Sequence, residues 1–272
     1  MVNLPVVYNS AEGIAGVQRF LRINPTAYGT KCSKTTECIK LWQEKNSLSP
    51  DGVIGINTAK ALHSQITVIT EEDKKILGQI VPLHIFDEIM EYGFLEGFSK
   101  YHLIHQLAQM SHETRAFTAF SENLTYTTKE RLLQIFKSRL NKNNAAQFVR
   151  NPKGLANFVY GGRNGNTGPD DGWNYRGQGG IHLTFKDNYE EFNTWLHKRG
   201  ITDDVVQNPS LVASKYIFTS AYFFLDSNGL FSEQTNVPTS TSVYTVRAVV
   251  NKYIGLAETI KLFNKYKLQF NC

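Results

Sequence analysis

The segment Tyr160-Gly-Gly-Arg-Asn-Gly-Asn-Thr-Gly-Pro-Asp-Asp-Gly-Trp-Asn-Tyr-Arg-Gly-Gln-Gly-Gly180 holds eight of the 20 glycines of a 272-residue chain. Aromatic and charged side chains interleave with them: Tyr160, Arg163, Asp170, Asp171, Trp173, Tyr175 and Arg176. A buried core is not built this way. Glycine allows close approach of backbone to a ligand and unusual φ, so the segment reads as the floor of a cleft, with a long surface loop as the alternative. Neither G-x-x-x-x-G-K-[ST] nor G-x-G-x-x-G after a strand is present, so it is not a phosphate cradle.

Outward from this segment the chain reads as helices. Upstream, Tyr101–His112 places Leu103, Ile104, Leu107, Ala108 and Ser111 on one face and His102, His105, Gln106, Gln109 and His112 on the other. Thr127 to Glu130 has the spacing of a capping box before Leu132, Leu133 and Phe136. Downstream, Lys215–Phe224 and Leu256–Tyr266 are further helical patterns. Closer to the start, Ile14, Val17, Phe20 and Leu21 repeat at helical spacing. Ser33 opens a second helix carrying Ile39, Leu41 and Trp42, and Asn57 is placed to cap a third with Ala59 and Leu62. Pro50-Asp51-Gly52 is a turn between the last two. The uncharged Ser64–Thr70 joins the two regions, with Thr70 as N-cap to Glu71-Glu72-Asp73. The expected fold class is mainly α. A small three-helix domain, residues 1–66, precedes a mostly helical domain, residues 71–272, with a Gly-rich cleft segment.

Composition excludes several classes. Three Trp, 13 Tyr and 17 Phe are too many for a disordered chain. No window approaches 18 apolar residues, so no membrane insertion is expected. The start, Met1 to Gly13, has neither a basic nor an apolar leader region, so synthesis in the cytoplasm without a signal peptide is expected. The formal charge of +5 suits work near a polyanion. With no Lys/Arg run and no nucleic-acid motif, nucleic acid is not an expected partner. Cys32 and Cys38 lie at neither redox nor zinc spacing, and free thiols are the default.

Glycosidic cleavage needs two carboxyl groups, one to protonate the leaving oxygen and one to activate water or attack carbon. Glu113 follows the Tyr101–His112 helix, and Glu122 stands nine residues later in Phe120-Ser-Glu-Asn-Leu124. A helix followed by a turn would aim both into one cleft. His112-Glu113 also tests against the zinc-protease pattern H-E-x-x-H, which fails because residue 116 is Ala116. His102, His105 and His112 supply no convincing ligand set, so no metal and no other cofactor is expected.

Five blocks occur in order: Ser111-His112-Glu113-Thr114, Glu122-Asn123-Leu124-x-Tyr126, Tyr160-Gly161-Gly162-Arg163, Asp171-Gly172-Trp173-x-Tyr175-Arg176-Gly177-x-Gly179-x-Ile181-x-Leu183-Thr184, and Asn188-Tyr189. Together they resemble glycoside hydrolase family 19, the chitinase-like family, and most closely its phage endolysin branch. Val17-Gln18-x-x-Leu21, Cys38-Ile39-x-x-Trp42-Gln43 and Asp51-Gly52-Val53-Ile54-Gly55-x-x-Thr58-x-x-x-Leu62 resemble the peptidoglycan-binding domain that often precedes it. The resemblance implies a lysozyme-like catalytic fold and an inverting mechanism, with carboxyls roughly 6.5–9.5 Å apart. It puts the general acid at Glu113, the general base at Glu122 and the holder of the attacking water at Thr184. Substrate contacts fall at Tyr126, Trp173, Tyr175, His182, Asn188 and Asn251.

The family's Y-R-G-R-G-L-I-Q-L-T-G reads here Tyr175-Arg-Gly-Gln-Gly-Gly-Ile-His-Leu-Thr-Phe185. His182 replaces a Gln and Gln178 an Arg, while Asn251 is followed by Lys252-Tyr253 rather than two glycines. The acid–base pair is untouched, but sugar preference is open. The implied function is a muramidase: hydrolysis of peptidoglycan between N-acetylmuramic acid and N-acetylglucosamine, by a monomer released to the wall through a separate pore. A lytic transglycosylase, a chitinase and a non-catalytic wall-binding protein are the alternatives.

Overall fold

A computed structural model describes residues 4–21, 23, 29–63, 69–91, 99–231 and 240–271. Among them every regular element is helical, and the only extended pairings are isolated bridges. The mainly α expectation holds. The chain gathers into two compact units, one made of Met1–His112 with Leu225–Cys272, the other of Glu113–Phe224. The expected linker lies largely outside the described residues, at 64–68.

In the first unit, helices Leu4–Asn9, Ala11–Phe20, Ser33–Lys45 and Ile56–His63 enclose a core of Tyr8, Val17, Ile39, Trp42, Ile54, Ala59 and Leu62. This is one helix more than the three expected. Asn57 lies inside the last helix rather than capping it. Two glutamines are buried here, and each is saturated with hydrogen bonds. Gln18 donates to Thr30 O and Thr35 Oγ1, both at 2.8 Å, and accepts from Gly29 N. Gln43 donates to Asp51 Oδ1, Val53 O and Thr58 Oγ1 at 2.9–3.0 Å and accepts from Gly52 N at 2.8 Å. The spacing Asp51-Gly52 … Thr58 is therefore the cage around one buried amide. Cys32 and Cys38 carry free thiols.

Thr70 caps the Glu71–Ile80 helix with a full capping box: it accepts from Asp73 N while Asp73 Oδ2 accepts from Thr70 N at 2.8 Å. Further on, the Lys100–Glu113 helix is enclosed on more than its apolar face. His105, Gln106 and Gln109 are as buried as Leu103 and Leu107, contrary to the expected polar face. Their cover comes from the end of the chain. His105 stacks on Phe263, 4.4 Å between ring centres. The fully buried Arg247 donates from Nη1 to Gln109 Oε1 at 2.9 Å. His112 lies directly over Gly255, where a Cβ would overlap the imidazole. No helix among the described residues is long and apolar enough to cross a membrane.

The second unit has two cores. Leu124, Leu132, Leu140, Phe148, Leu155, Ala156 and Val159 form one. Asn151 starts its Pro152–Tyr160 helix by accepting from Gly154 N at 3.0 Å, with Pro152 in the first turn where its missing N–H costs nothing. The Lys129–Ile135 helix is capped by Thr128, which accepts from Arg131 N; the sequence placed the cap one residue earlier. The other core is aromatic, with Phe192 and Trp195 of the Lys186–His197 helix against Tyr216, Tyr222 and Phe223. The helix expected from Lys215 begins at Ile217.

Candidate active site

The last part of the Gly-rich segment is buried: Gly177 to Leu183 form a tight hairpin. Gln178 and Leu183 exchange both backbone hydrogen bonds, 3.1 and 2.7 Å. Gly179, at φ 83°, sits where a side chain would overlap Ser220 Oγ, so both its torsion and its space require glycine. Its N–H donates to Phe120 O at 2.8 Å, and Glu122 N donates to Gly177 O at 2.8 Å. The segment after Glu113 is thereby pinned along the hairpin.

That pinning converges three side chains on Gly177. A Cβ built there would lie 3.0 Å from His182 Cβ, 3.4 Å from Thr184 Oγ1 and 3.5 Å from Glu122 Cβ. Three of the residues singled out in the sequence, 62 positions apart at the extremes (Glu122 and Thr184), thus share one wall. Thr184 donates its hydroxyl proton to His182 O at 2.7 Å, which leaves its lone pairs to accept. Asn188 donates to Thr184 O at 2.7 Å and steadies that residue from behind. His182 has a left-handed φ of 58°, and its Nε2 lies 3.4 Å from Ala119 O.

The Glu122 carboxylate is held by a residue that the sequence did not assign. Tyr160, at the end of the Pro152–Tyr160 helix, donates its hydroxyl to both Glu122 oxygens at 2.8 Å. Burial, the Glu122 charge and this bond push the phenol well above its usual range, so it stays a donor at all working pH values. Tyr126 is raised too, by burial and then by Glu122. Arg176 is the third neighbour. Burial lowers it, while Tyr189 and Glu122 oppose that shift. It lies 3.9 Å above the Trp173 ring and donates to Trp173 O, while its buried Nε has no hydrogen-bond partner. The signal for Tyr160 was its place in the Tyr160-Gly-Gly-Arg block; nothing in the spacing showed its aim.

Glu113 is the half-buried last residue of its helix. Arg115, Ala116 and Phe117 follow with φ of 52°, 56° and 62°, a left-handed turn in non-glycine residues. Thr114 Oγ1 accepts from Phe117 N, and Thr114 O accepts from Thr118 and Ala119 N. Of the expected sugar contacts, Tyr126 is half-buried against Phe136, and Trp173 is half-buried beneath Arg176. Tyr175 is a core residue: it is 5% exposed, packs on Tyr189 and spends its hydroxyl on Val206 O. Asn251 ends the Ser240–Asn251 helix of the other unit. Among the described residues no group of His, Cys, Asp or Glu is arranged to hold a metal ion.

No family model matches the chain. Over 108 residues it is 40% identical to a protein of Haemophilus influenzae (strain ATCC 51907 / DSM 11121 / KW20 / Rd) named a glycosyl hydrolase family 19 domain-containing protein. The aligned stretch is 39% of this chain and 54% of that protein, so the chain spans about half the length of the curated relative it matches.

Proposed function

We propose that the chain is a glycoside hydrolase that cuts the glycan strand of bacterial peptidoglycan between N-acetylmuramic acid and N-acetylglucosamine, with inversion. The observation that carries this reading is the convergence of Glu122 and Thr184 on Gly177, with Tyr160 aiming the carboxylate. The similarity to a protein named for glycosyl hydrolase family 19 supports the reaction class. Thr184, its own proton committed to His182 O, accepts one hydrogen of a water. Glu122 accepts the other, using lone pairs that Tyr160 leaves open. The water oxygen then faces the anomeric carbon. As it attacks, its proton passes to Glu122, the glycosidic C–O bond breaks, and Glu113 gives its proton to the leaving oxygen.

The rest of the reading concerns where this happens. The positive charge suits an anionic wall. The small helical region within 1–66 serves as a wall-binding module and raises the local concentration of the catalytic part. The monomer acts as a phage-type endolysin, made in the host cytoplasm and reaching the wall through a separate pore.

The test is mass spectrometry of the ends released from purified peptidoglycan by the wild type, Glu113→Gln and Glu122→Gln. New reducing muramic ends, falling by about 1,000-fold in either variant, are expected. Anhydro ends, or full activity without Glu122, would make it a lytic transglycosylase. Preference for chitin oligomers would make it a chitinase. Binding without cleavage would leave a wall-binding protein, and free peptides with intact glycan would end the glycosidase reading.

A further inference from the structure

Phe185 holds a backbone conformation, φ 76° and ψ 144°, close to a region that essentially only glycine enters readily. A bulky side chain persists there only where its surroundings fix it. Phe185 N donates to Tyr175 O at 2.8 Å, and Phe185 O accepts from Tyr189 N at 3.2 Å. Its ring meets the Tyr160 ring in a T-shaped contact, 5.6 Å between centres and 88° between planes. The Arg163 guanidinium lies 4.8 Å from the centre of the same ring. Beneath them, the fully buried Asn166 donates to Tyr160 O and accepts from Lys186 N, both at 3.0 Å. One side chain therefore ties the backbone of Tyr160 to the residue that follows Phe185. The two rings are a fixed pair, and the Tyr160 hydroxyl lies on both oxygens of Glu122.

We propose that Phe185 is a positioning residue for the Glu122 carboxylate, acting through Tyr160. The inference rests on the reading of Glu122 as the general base. Its physical content is that the strained backbone puts a ring against Tyr160 that no relaxed residue at 185 would put there. The ring blocks rotation of the phenol and keeps water from replacing its hydroxyl on Glu122. Removing the ring frees the phenol and lets the carboxylate turn away from the bound water, a loss of orientation rather than of substrate affinity.

The experiment compares the full chain with Phe185→Gly, Phe185→Tyr, Tyr160→Phe, the double variant Tyr160→Phe/Phe185→Gly, and Glu122→Gln. It reads kcat and KM for reducing ends released from peptidoglycan, together with the thermal midpoint. Phe185→Gly relaxes the backbone and removes the ring. Its midpoint should be unchanged or higher while kcat falls about 10- to 100-fold, with KM held within about twofold. Phe185→Tyr should keep most of the wild-type kcat. The double variant should be no slower than Tyr160→Phe alone, because both act on one hydrogen bond. With Phe185→Gly folded, a wild-type kcat, a joint fall of kcat and midpoint, or strictly multiplicative losses in the double variant would each overturn the proposal. Should Phe185→Gly fail to fold, Phe185→Leu removes the ring while keeping the backbone demand, and the same comparison is made with it. If Glu122→Gln keeps the wild-type rate, the base assignment itself fails. If Glu122→Gln is inactive and the Phe185 variants are fully active, only the present inference falls.

Discussion

Two polar clusters, one around Gln43 and one around Glu122, look alike in a sequence and differ in how far they are satisfied. Gln43 is buried, and both ends of its amide are used, by Asp51, Gly52, Val53 and Thr58. Nothing is left over for a ligand. Around Glu122, Tyr160 supplies the carboxylate's donor, Thr184 has given away its proton and keeps its lone pairs, and Arg176 keeps an unused buried Nε. A saturated cluster specifies a fold, since every partner it loses becomes a buried orphan. An unsaturated one stores binding capacity. Polar residues at conspicuous spacing are divided between structure and chemistry by their remaining donors and acceptors, not by their type.

The comparison breaks most visibly at Gln43. Gln43→Ala leaves the buried Gly52 N–H and Thr58 hydroxyl short of a partner and opens a buried space, while the exposed Asp51 and Val53 turn to water. A destabilisation of about 3–4 kcal/mol is expected. Hydrogen exchange should locate it in residues 4–63, and kcat on short soluble glycans should stay at the wild-type value. A loss of that kcat equal to the loss in Thr184 variants would erase the distinction drawn between the two clusters. Thr184→Val is the mirror experiment. It removes an acceptor for water and one hydrogen bond to His182 O. Here kcat should fall about 100-fold, equivalent to about 2.7 kcal/mol of transition-state stabilisation. The unfolding midpoint should move little.

Much of this organisation was legible in the sequence, and the illegible part has a consistent cause. Helical periodicity and caps announced the elements, as at Thr70, because a cap is a local device. Cap positions slipped at Asn57 and Thr128, where several small polar residues compete for the same role. The polar face of Tyr101–His112 misled because Phe263, Arg247 and Gly255, more than 130 residues away, cover it. Glu122, His182, Thr184 and Asn188 could be picked out as motif residues, but the meeting of the first three at Gly177, with Asn188 behind Thr184, depends on the Gln178–Leu183 hairpin. Tyr160 and Phe185 escaped assignment since their roles lie in orientation, and orientation leaves no spacing to read. Tyr175 shows the converse: an aromatic in a motif, placed in the core by its hydroxyl's bond to Val206 O.

A smaller effect tests the hairpin that supports the Glu122 cluster. Gly179→Ala forces a side chain into φ 83° and against Ser220. A loss of about 2 kcal/mol in stability is expected, with a fall in kcat because Phe120, Glu122 and Gly177 lose their common support. Ser220→Ala in the same chain should recover the part of the loss due to the hydroxyl overlap, and leave the torsional part and the closer packing on Val212. Full recovery would mean that space alone, rather than φ, requires glycine at this position.

The smallest expected effect is a pH dependence confined to the saturated cluster. The Asp51 carboxyl is held below the usual carboxylate range, first by the Val53 N–H and then by the Gln43 amide, at 2.8 and 2.9 Å. Its folded pKa therefore lies beneath the unfolded value of about 3.9. Above that value both states are ionised, and the bonds contribute fully. As pH falls below it, the unfolded chain takes up a proton that the folded chain refuses, and stability drops until the folded carboxyl is protonated too. Urea unfolding of residues 4–63, followed by hydrogen exchange between pH 5 and pH 2.5, should show this decline, and Asp51→Asn should flatten it. Because Asp51 is exposed, the slope should shrink in high salt only as far as the Lys31 charge contributes, its hydrogen bonds being short and local. A slope that vanishes in salt would make Asp51 a surface charge near a lysine instead of a wall of the Gln43 cage, and the saturated cluster would then close on Gly52, Val53 and Thr58 alone.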